Sequence, residues 1–210
     1  MQLKDRLQAG DLLAQKLVKY KNQDNVLLFA LPRGGVPVAA RVAAALELPL
    51  DIIVTRKIGA PFDPEFALGA MAETGEIIWN DQDLSNDPQV NKVILKEKAE
   101  AKRRVALYRN NRPLPDMKRK TAIIIDDGLA TGATMRAAVA AAKHQHADKI
   151  AVAVPHGAKQ SLDLLRRQAD QVIALFEPGF YGSVGQYYQI FSQTSDDEVL
   201  SIMKQYGIKQ

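Results

Sequence analysis

The chain has 210 residues, 47% of them hydrophobic and 25% charged, a composition typical of one globular domain with its own apolar core. It contains no cysteine, which excludes disulfide bonds and thiolate metal sites. The N-terminus lacks the apolar segment of a secretion signal, and no apolar run approaches the roughly 20 residues that span a bilayer, so we predict a cytoplasmic protein with no membrane partner. The formal charge of +4 favours an anionic partner, but it does not choose between a phosphorylated small molecule and a nucleic acid.

Helix and strand patterns alternate along the chain, separated by turn residues. In chain order we predict a helix at 5–20, a strand at 26–32, a helix at 36–46, a strand at 51–55, a glycine- and proline-bearing loop at 59–72, a strand at 76–79, a helix at 90–108, a strand at 121–126, a helix at 134–144, a strand at 150–154, a helix at 159–169, a strand at 171–176, and a last helix introduced by a capping box from Ser195 to Glu198. The charged side of the 90–108 helix, with the basic cluster 102–104, is predicted to face solvent.

The strands are continuous apolar runs separated by helices, which indicates an α/β fold whose mainly parallel sheet is flanked by helices. Ligands of such sheets bind beyond the carboxyl ends of the strands. Four turns with unusual polar or glycine residues follow predicted strands, and we expect them at that one edge: LPRGG, TRK, DDGLATGAT and VPHGA. We predict a single domain over 1–210, with its binding site at this edge.

Two adjacent carboxylates, Asp126 and Asp127, follow the most apolar strand. Neighbouring acids repel each other, which suggests a cation or hydroxyl donors beside them, and hard oxygen ligands suit Mg²⁺, bound directly or through water. Residues 130–134 then turn into a helix whose small residues and N-terminal N–H groups favour an anion, with hydroxyl donors from Thr131 and Thr134. Acids on one side of a turn and a phosphate cradle on the other predict a site for a sugar phosphate.

The segment IIIDDGLATGAT, residues 123–134, resembles the binding motif for 5-phosphoribosyl 1-pyrophosphate (PRPP) in type I phosphoribosyltransferases. The resemblance implies the type I phosphoribosyltransferase fold with a small C-terminal hood, an enzyme of that class, PRPP as substrate and Mg²⁺ as cofactor. It implies that Asp126 and Asp127 hold the ribose hydroxyls. The residues that it assigns to the phosphate are Ala130, Thr131, Gly132, Ala133 and Thr134.

Two more turns resemble parts of the same family. The turn after the first strand is similar to the pyrophosphate loop, and its residues are Pro32, Arg33, Gly34 and Gly35. Arg33 can bind phosphate oxygens through two N–H groups while Gly34 leaves the backbone N–H groups accessible. Arg56 and Lys57 resemble the basic pair beside the pyrophosphate, followed by a flexible loop that closes over the reaction. The resemblance makes Arg33, Lys57 and the two aspartates the predicted catalytic residues.

The segment at about 177–192, with the C-terminal helix, looks like the family's hood over a core at about 20–176. Phe180 and Tyr181 are predicted to contact the nucleobase, since aromatic stacking on a base contributes roughly 1–3 kcal/mol. A small hydrophobic cluster beneath a loop is the alternative for these aromatic residues. His156, in VPHGA, is either a substrate contact or a structural residue.

The predicted reaction transfers the 5-phosphoribosyl group from PRPP to a nitrogen nucleophile, such as a nucleobase, and releases pyrophosphate. Ala130 stands where 6-oxopurine enzymes carry an aspartate, which argues against hypoxanthine and guanine as acceptors. The alternative is a non-catalytic PRPP-sensing regulator on the same fold, although no added helix-turn-helix segment favours a nucleic-acid partner. A phosphatase or nucleotide hydrolase is disfavoured, because the sequence has no GxxxxGK[ST] loop. The resemblance also implies a homodimer.

Overall fold

A computed structural model describes residues 2–208. The helices are α1 (Arg6–Lys16), α2 (Gly35–Leu46), α3 (Pro88–Arg109), α4 (Ala133–His144), α5 (Lys159–Arg166) and α6 (Asp196–Tyr206). The strands are β1 (Val26–Ala30), β2 (Leu50–Ile52), β3 (Thr55–Gly59), β4 (Ala67–Ala72), β5 (Ile77–Trp79), β6 (Thr121–Ile125), β7 (Lys149–His156) and β8 (Gln171–Phe176). None of the helices within 2–208 is both long enough and apolar enough to cross a membrane.

Five strands form a parallel sheet in the order β2-β1-β6-β7-β8, which confirms the predicted α/β class. In its centre Phe29 lies beside Ile124, and Ile124 lies beside Val152. Because side chains alternate between the two faces of a strand, Phe29 packs on the side of α4 and α5, whereas Leu28 packs on the side of α1 and α2. The sheet is therefore buried on both faces, and only its edges and strand ends are left for function.

Side-chain caps fix where several helices begin. The Asp5 carboxylate accepts a hydrogen bond from the N–H of Gln8 at the start of α1, and the Asp87 carboxylate caps α3 in the same way. The Ser195 hydroxyl accepts from the N–H of Glu198, which is one of the two hydrogen bonds of the predicted capping box. The first helix is shorter than predicted, since it ends at Lys16 and a 3₁₀ turn, Val18–Tyr20, follows.

The loop predicted at 59–72 is correct for 60–66 but wrong for 67–72, which form β4; β3, β4 and β5 make a second, antiparallel sheet of three strands. The single strand predicted at 51–55 is likewise split between β2 and β3. Gly69 reads as a turn residue in the sequence, but it lies opposite Trp79 in the β4–β5 ladder. A Cβ added to Gly69 would lie 2.3 Å from the Ile78 carbonyl oxygen, so the glycine permits two backbones to approach closely.

The segment predicted as the hood, 177–192, contains one 3₁₀ turn, Val184–Tyr187, and packs against the start of the chain. The Leu3 N–H donates to the Tyr187 carbonyl oxygen at 2.8 Å, and the Gln189 N–H donates to the Leu3 carbonyl oxygen at 2.9 Å. The sequence did not predict this pairing. It places the beginning of α1 next to the C-terminal segment, at the edge of the sheet where β6 ends.

Candidate active site

Asp126 and Asp127 follow directly after β6, in the middle of the parallel sheet. One Asp126 carboxylate oxygen accepts a hydrogen bond from the Asp127 N–H at 2.9 Å. Burial and the neighbouring Asp127 charge raise the pKa of Asp126 well above its usual range. Burial also raises the pKa of Asp127, against the opposing effect of Arg6. Two crowded acids of this kind are stabilised in their charged form by a cation or by hydroxyl donors.

The acid pair is a suitable donor set for Mg²⁺. No cluster of three or more acidic or histidine side chains within residues 2–208 forms a cage for a metal ion. Two carboxylates nevertheless suffice for Mg²⁺, which commonly keeps several waters and takes other ligands from substrate phosphates. A bound cation would also relieve the repulsion that raises the pKa of Asp126.

Arg6, which the sequence analysis missed, holds Asp127 in place. Its Nε and one terminal nitrogen each lie 2.8 Å from one Asp127 carboxylate oxygen. The other terminal nitrogen donates to the Ser192 carbonyl oxygen at 2.7 Å, and the guanidinium lies 3.9 Å from the centre of the Phe191 ring. A single side chain from α1 thus connects the acid pair to the C-terminal segment. No local pattern signals this contact, because Arg6 and Asp127 are 121 residues apart.

Residues 130–134 form the predicted strand–turn–helix cradle. Gly132 has a φ of 75°, in the left-handed region that favours glycine, and α4 begins at the next residue, Ala133. Ala130 and Thr131 are exposed, while Thr134 is half-buried on the first helical turn. The N–H groups at the start of α4 therefore stand beside an open surface, where an anion can bind.

The β7–α5 turn is hydrogen-bonded to the segment that leads into this cradle. The Leu129 N–H donates to the His156 carbonyl oxygen at 3.0 Å, and the Ala158 N–H donates to the Leu129 carbonyl oxygen at 2.8 Å. The Ser161 hydroxyl donates to the Ala130 carbonyl oxygen. The turn VPHGA thus lies next to DDGLATGAT, as the parallel sheet predicted.

The Pro32–Gly35 turn packs directly on the acid pair. The Leu31 N–H donates to the Ile125 carbonyl oxygen at 3.0 Å, which continues the β1–β6 pairing to the end of the sheet. A Cβ added to Gly34 would lie 2.1 Å from an Asp127 carboxylate oxygen, and one added to Gly35 would lie 2.8 Å from the Ile125 carbonyl oxygen. The Pro32–Arg33 peptide bond is cis. The predicted pyrophosphate loop and the acid pair are therefore neighbours.

The sequence predicts Arg56 and Lys57 in a turn, but they lie within β3 of the second sheet. Arg56 is paired with Glu97 of α3, with its Nε 2.7 Å from a carboxylate oxygen. The Lys57 amino group lies 3.1 Å from the Glu65 carboxylate, in the β3–β4 connection. Both basic side chains are engaged away from the acid pair in this conformation. The turn-like residues Gly59 and Pro61 directly after them explain why the sequence suggested a loop.

The C-terminal aromatic residues have different positions. Phe180 is exposed over 76% of its surface, whereas the Tyr181 hydroxyl lies 2.9 Å from His156 Nδ1 beside Gly128. The Tyr188 hydroxyl donates to the Asp127 backbone carbonyl oxygen at 2.6 Å. Tyr188 therefore attaches the C-terminal segment to the acid loop, and Tyr181 attaches it to His156 at the end of β7. Among the predicted contacts, Phe180 has the ring that is open to a ligand.

His156 is fully buried among aromatic rings, and burial lowers its pKa to about 4 from 6.5. As the pH falls, the histidine is protonated in the unfolded chain before it is protonated in the folded chain. The stability that neutral His156 contributes is therefore complete above pH 6.5 and is lost towards pH 4. We expect the loss to reach roughly 3 kcal/mol in the wild type and to be absent in His156→Gln. Chemical denaturation at a series of pH values measures it. Tyr181→Phe is the control, because it keeps the histidine and should keep the dependence of unfolding free energy on pH. If that dependence were the same in the wild type and in His156→Gln, the prediction would be contradicted.

A cavity of 340 Å³ opens beside the acid pair. It is lined by Arg6, Arg33, Gly34, Arg104, Asp127, Phe191, Ser192, Gln193 and Thr194. Arg104 comes from α3 and is only 9% exposed, so the prediction that this basic cluster faces solvent is wrong for Arg104. The cavity joins the predicted pyrophosphate loop to the C-terminal segment across the acid pair.

The five-stranded parallel sheet, with an acid pair and a glycine-containing turn after β6 and an arginine loop after β1, has the type I phosphoribosyltransferase fold. The family model of the phosphoribosyl transferase domain matches residues 2–187. The chain belongs to this family.

Relatives and solved structures agree with this assignment. Proteins from two strains of Mycobacterium tuberculosis, provisionally named phosphoribosyl transferases, are 41% identical to the chain over 203 residues. That match covers 95% of the chain and 46% of each relative, so the chain spans about half their length. The crystal structure of TT1426 from Thermus thermophilus is 34% identical, covers 99% of this chain and 100% of its own, and superposes with a TM-score of 0.81. The AQ2163 protein from Aquifex aeolicus, at 12% identity, shares the fold with a TM-score of 0.54 over 86% of this chain and 78% of its own.

Proposed function

We propose that the chain transfers the 5-phosphoribosyl group from PRPP to a nitrogen nucleophile, with Mg²⁺ and release of pyrophosphate. The observation that carries this proposal is the meeting of three groups at one sheet edge: the acid pair after β6, the cradle at 130–134, and the Arg33 loop after β1. A ribose 5-phosphate needs hydrogen-bond acceptors for its hydroxyl groups on one side and a phosphate site on the other. A pyrophosphate needs positive charge next to these two sites. Family membership supports the same reaction class.

In this reaction the C1–O bond to pyrophosphate breaks, with the electron pair leaving on the pyrophosphate oxygen. The lone pair of the acceptor nitrogen forms the new bond to C1, and the nitrogen releases a proton. Asp126 and Asp127 accept hydrogen bonds from the ribose hydroxyls and stabilise the positive charge that develops on the sugar. The cradle, Ala130 to Thr134, holds the 5′-phosphate and so fixes C1 in position.

The leaving group requires positive charge. Arg33 is suited to the pyrophosphate, because its 3.4 Å contact with Asp196 is long and weak compared with a charged pair on phosphate. Mg²⁺, held by Asp126 and Asp127 directly or through water, supplies further neutralisation when it is bound. Lys57 would join only after leaving Glu65 of the β3–β4 connection, and Arg56 would join only after leaving Glu97 of α3.

The acceptor is proposed to be a nucleobase other than hypoxanthine or guanine, because an exposed Ala130 stands where the enzymes for those two bases carry an aspartate. Phe180 is the candidate for base stacking, and Tyr181 is proposed to position the C-terminal segment. We also propose a homodimer, as the resemblance implies, and a cytoplasmic location, as the sequence predicts; sedimentation equilibrium would measure the dimer.

A screen of nucleobases with PRPP and Mg²⁺, read out as pyrophosphate release, tests the proposal. We expect one class of base to give turnover that stops when the metal is chelated. Adenine, uracil, orotate and xanthine cover the main ring types, with hypoxanthine and guanine as bases expected to fail. PRPP binding without pyrophosphate release for every base would instead favour a PRPP-sensing regulator.

A further inference from the structure

Arg104 projects from α3 into the 340 Å³ cavity although it is 9% exposed. Its Nε donates to the Glu100 carboxylate at 2.8 Å. Among residues 2–208, its two terminal nitrogens have no hydrogen-bond acceptor, so these donors face the cavity. Because this cavity is open, the unused guanidinium donors of Arg104 can bind an anion that enters it.

The two other arginines that line the cavity differ in how many of their hydrogen-bond donors are already used. Arg6 is fully engaged by Asp127, Ser192 and Phe191. Arg33, by contrast, makes one side-chain hydrogen bond within residues 2–208, at 3.4 Å to Asp196. The cavity is therefore lined by two guanidinium groups with donors that are not used in hydrogen bonds: Arg33 from the β1–α2 turn and Arg104 from α3.

Glu100 does not neutralise Arg104 alone, because it is shared. Arg103 lies 2.7 Å and 3.0 Å from the two Glu100 carboxylate oxygens and also binds Asp196 at 3.1 Å. One carboxylate thus faces two guanidinium groups, and the surplus positive charge falls on the cavity side. The chemistry that this arrangement fits is a multiply charged phosphate group.

We propose that Arg104, together with Arg33, binds the pyrophosphate group of PRPP. This inference rests on the proposed function. It assigns a role to a residue on α3, an element that the sequence motifs do not include. If Arg104 were only structural, its i,i+4 pair with Glu100 would stabilise α3 itself and would not distinguish one phosphate ligand from another.

Calorimetric titration in Mg²⁺, without any acceptor, separates these roles. The probes are PRPP, inorganic pyrophosphate and ribose 5-phosphate, and the variants are Arg104→Gln and Arg104→Lys. We expect Arg104→Gln to bind PRPP and pyrophosphate roughly ten- to a hundredfold more weakly, because hydrogen bonds between charged groups are lost. Its affinity for ribose 5-phosphate should stay within about twofold, since that ligand has no pyrophosphate. Arg104→Lys should recover part of the loss.

Arg103→Gln is the matched control, because Arg103 shares Glu100 but is half-exposed and does not line the cavity. It should bind all three probes as the wild type does. Unchanged pyrophosphate affinity in Arg104→Gln would overturn the inference, and so would an equal loss for ribose 5-phosphate, which would mean damage to the fold. Failure of the wild type to bind PRPP would be a different result, since it would remove the proposed function itself.

Discussion

Replacing Asp126 and Asp127 together by asparagine is expected to abolish PRPP turnover while leaving the chain folded. Each carboxylate is proposed to accept a charged hydrogen bond from a ribose hydroxyl and to balance positive charge on the sugar. Two such interactions, of roughly 1.5–3 kcal/mol each, correspond to a loss of at least about a hundredfold in turnover. Pyrophosphate release with the acceptor identified by screening measures this effect.

The fold should survive the double replacement because asparagine has nearly the same shape as aspartate. In Asp127→Asn the side-chain amide keeps a carbonyl oxygen that can accept from Arg6, and Arg6 also retains Ser192 and Phe191. The double change moreover removes two buried like charges. Asp163→Asn, at an exposed acid of α5 paired with Lys159, is the control and should remain active. Wild-type turnover by the double variant would mean that the acid pair does not hold the ribose.

The sequence predicted the central part of this site because its signals are local. An apolar strand, two acids and a glycine turn before a helix all lie within residues 123–134, and the structure has them in that order. The parallel sheet could also be predicted, since continuous apolar strands separated by helices have few other arrangements. The positions of the turns after β1, β6 and β7 then follow from the sheet itself.

The second sheet could not be predicted in the same way. Its strands are short, and β4 has the sequence ALGAMA, which lacks the β-branched residues typical of strands. Such a segment becomes a strand through its pairing with β3 and β5 and its packing beside α4, contacts that local propensity does not encode.

The residues missed by the sequence analysis act over long separations. Arg6 reaches Asp127 from the first helix, and Tyr188 reaches the same residue's backbone from the C-terminal segment. Arg104 belongs to a helix whose charged side looks solvated in the sequence, because only the tertiary structure closes a cavity over it. Contacts of this kind depend on how helices and strands pack against each other in the tertiary structure. A single sequence therefore contains no local signal for them.

Gly34→Ala should inactivate the chain through the acid pair, although Gly34 itself has no side chain to lose. Its backbone angles, a φ of −62° and a ψ of −33°, are open to any residue, so glycine is needed here for space. The added methyl group would lie 2.1 Å from an Asp127 carboxylate oxygen and 2.7 Å from its Cγ, so Asp127 or the loop must shift. A displacement of about 1 Å in a binding group costs roughly a hundredfold in rate, and overpacking costs roughly 1–3 kcal/mol of stability.

Gly179→Ala is the matched control for this change, because no atom lies within 4 Å of the Cβ that it adds. We expect it to keep wild-type PRPP affinity and turnover. In Gly34→Ala, calorimetry should register weakened PRPP binding, and thermal unfolding should register a midpoint lower by several degrees, since about 1 kcal/mol corresponds to roughly 2–4 °C for a domain of this size. Arg6 shares the displaced carboxylate, so its contact with Asp127 should weaken at the same time. If Gly34→Ala instead bound PRPP as tightly as Gly179→Ala does, Asp127 could not be a ribose contact in the position where Arg6 holds it.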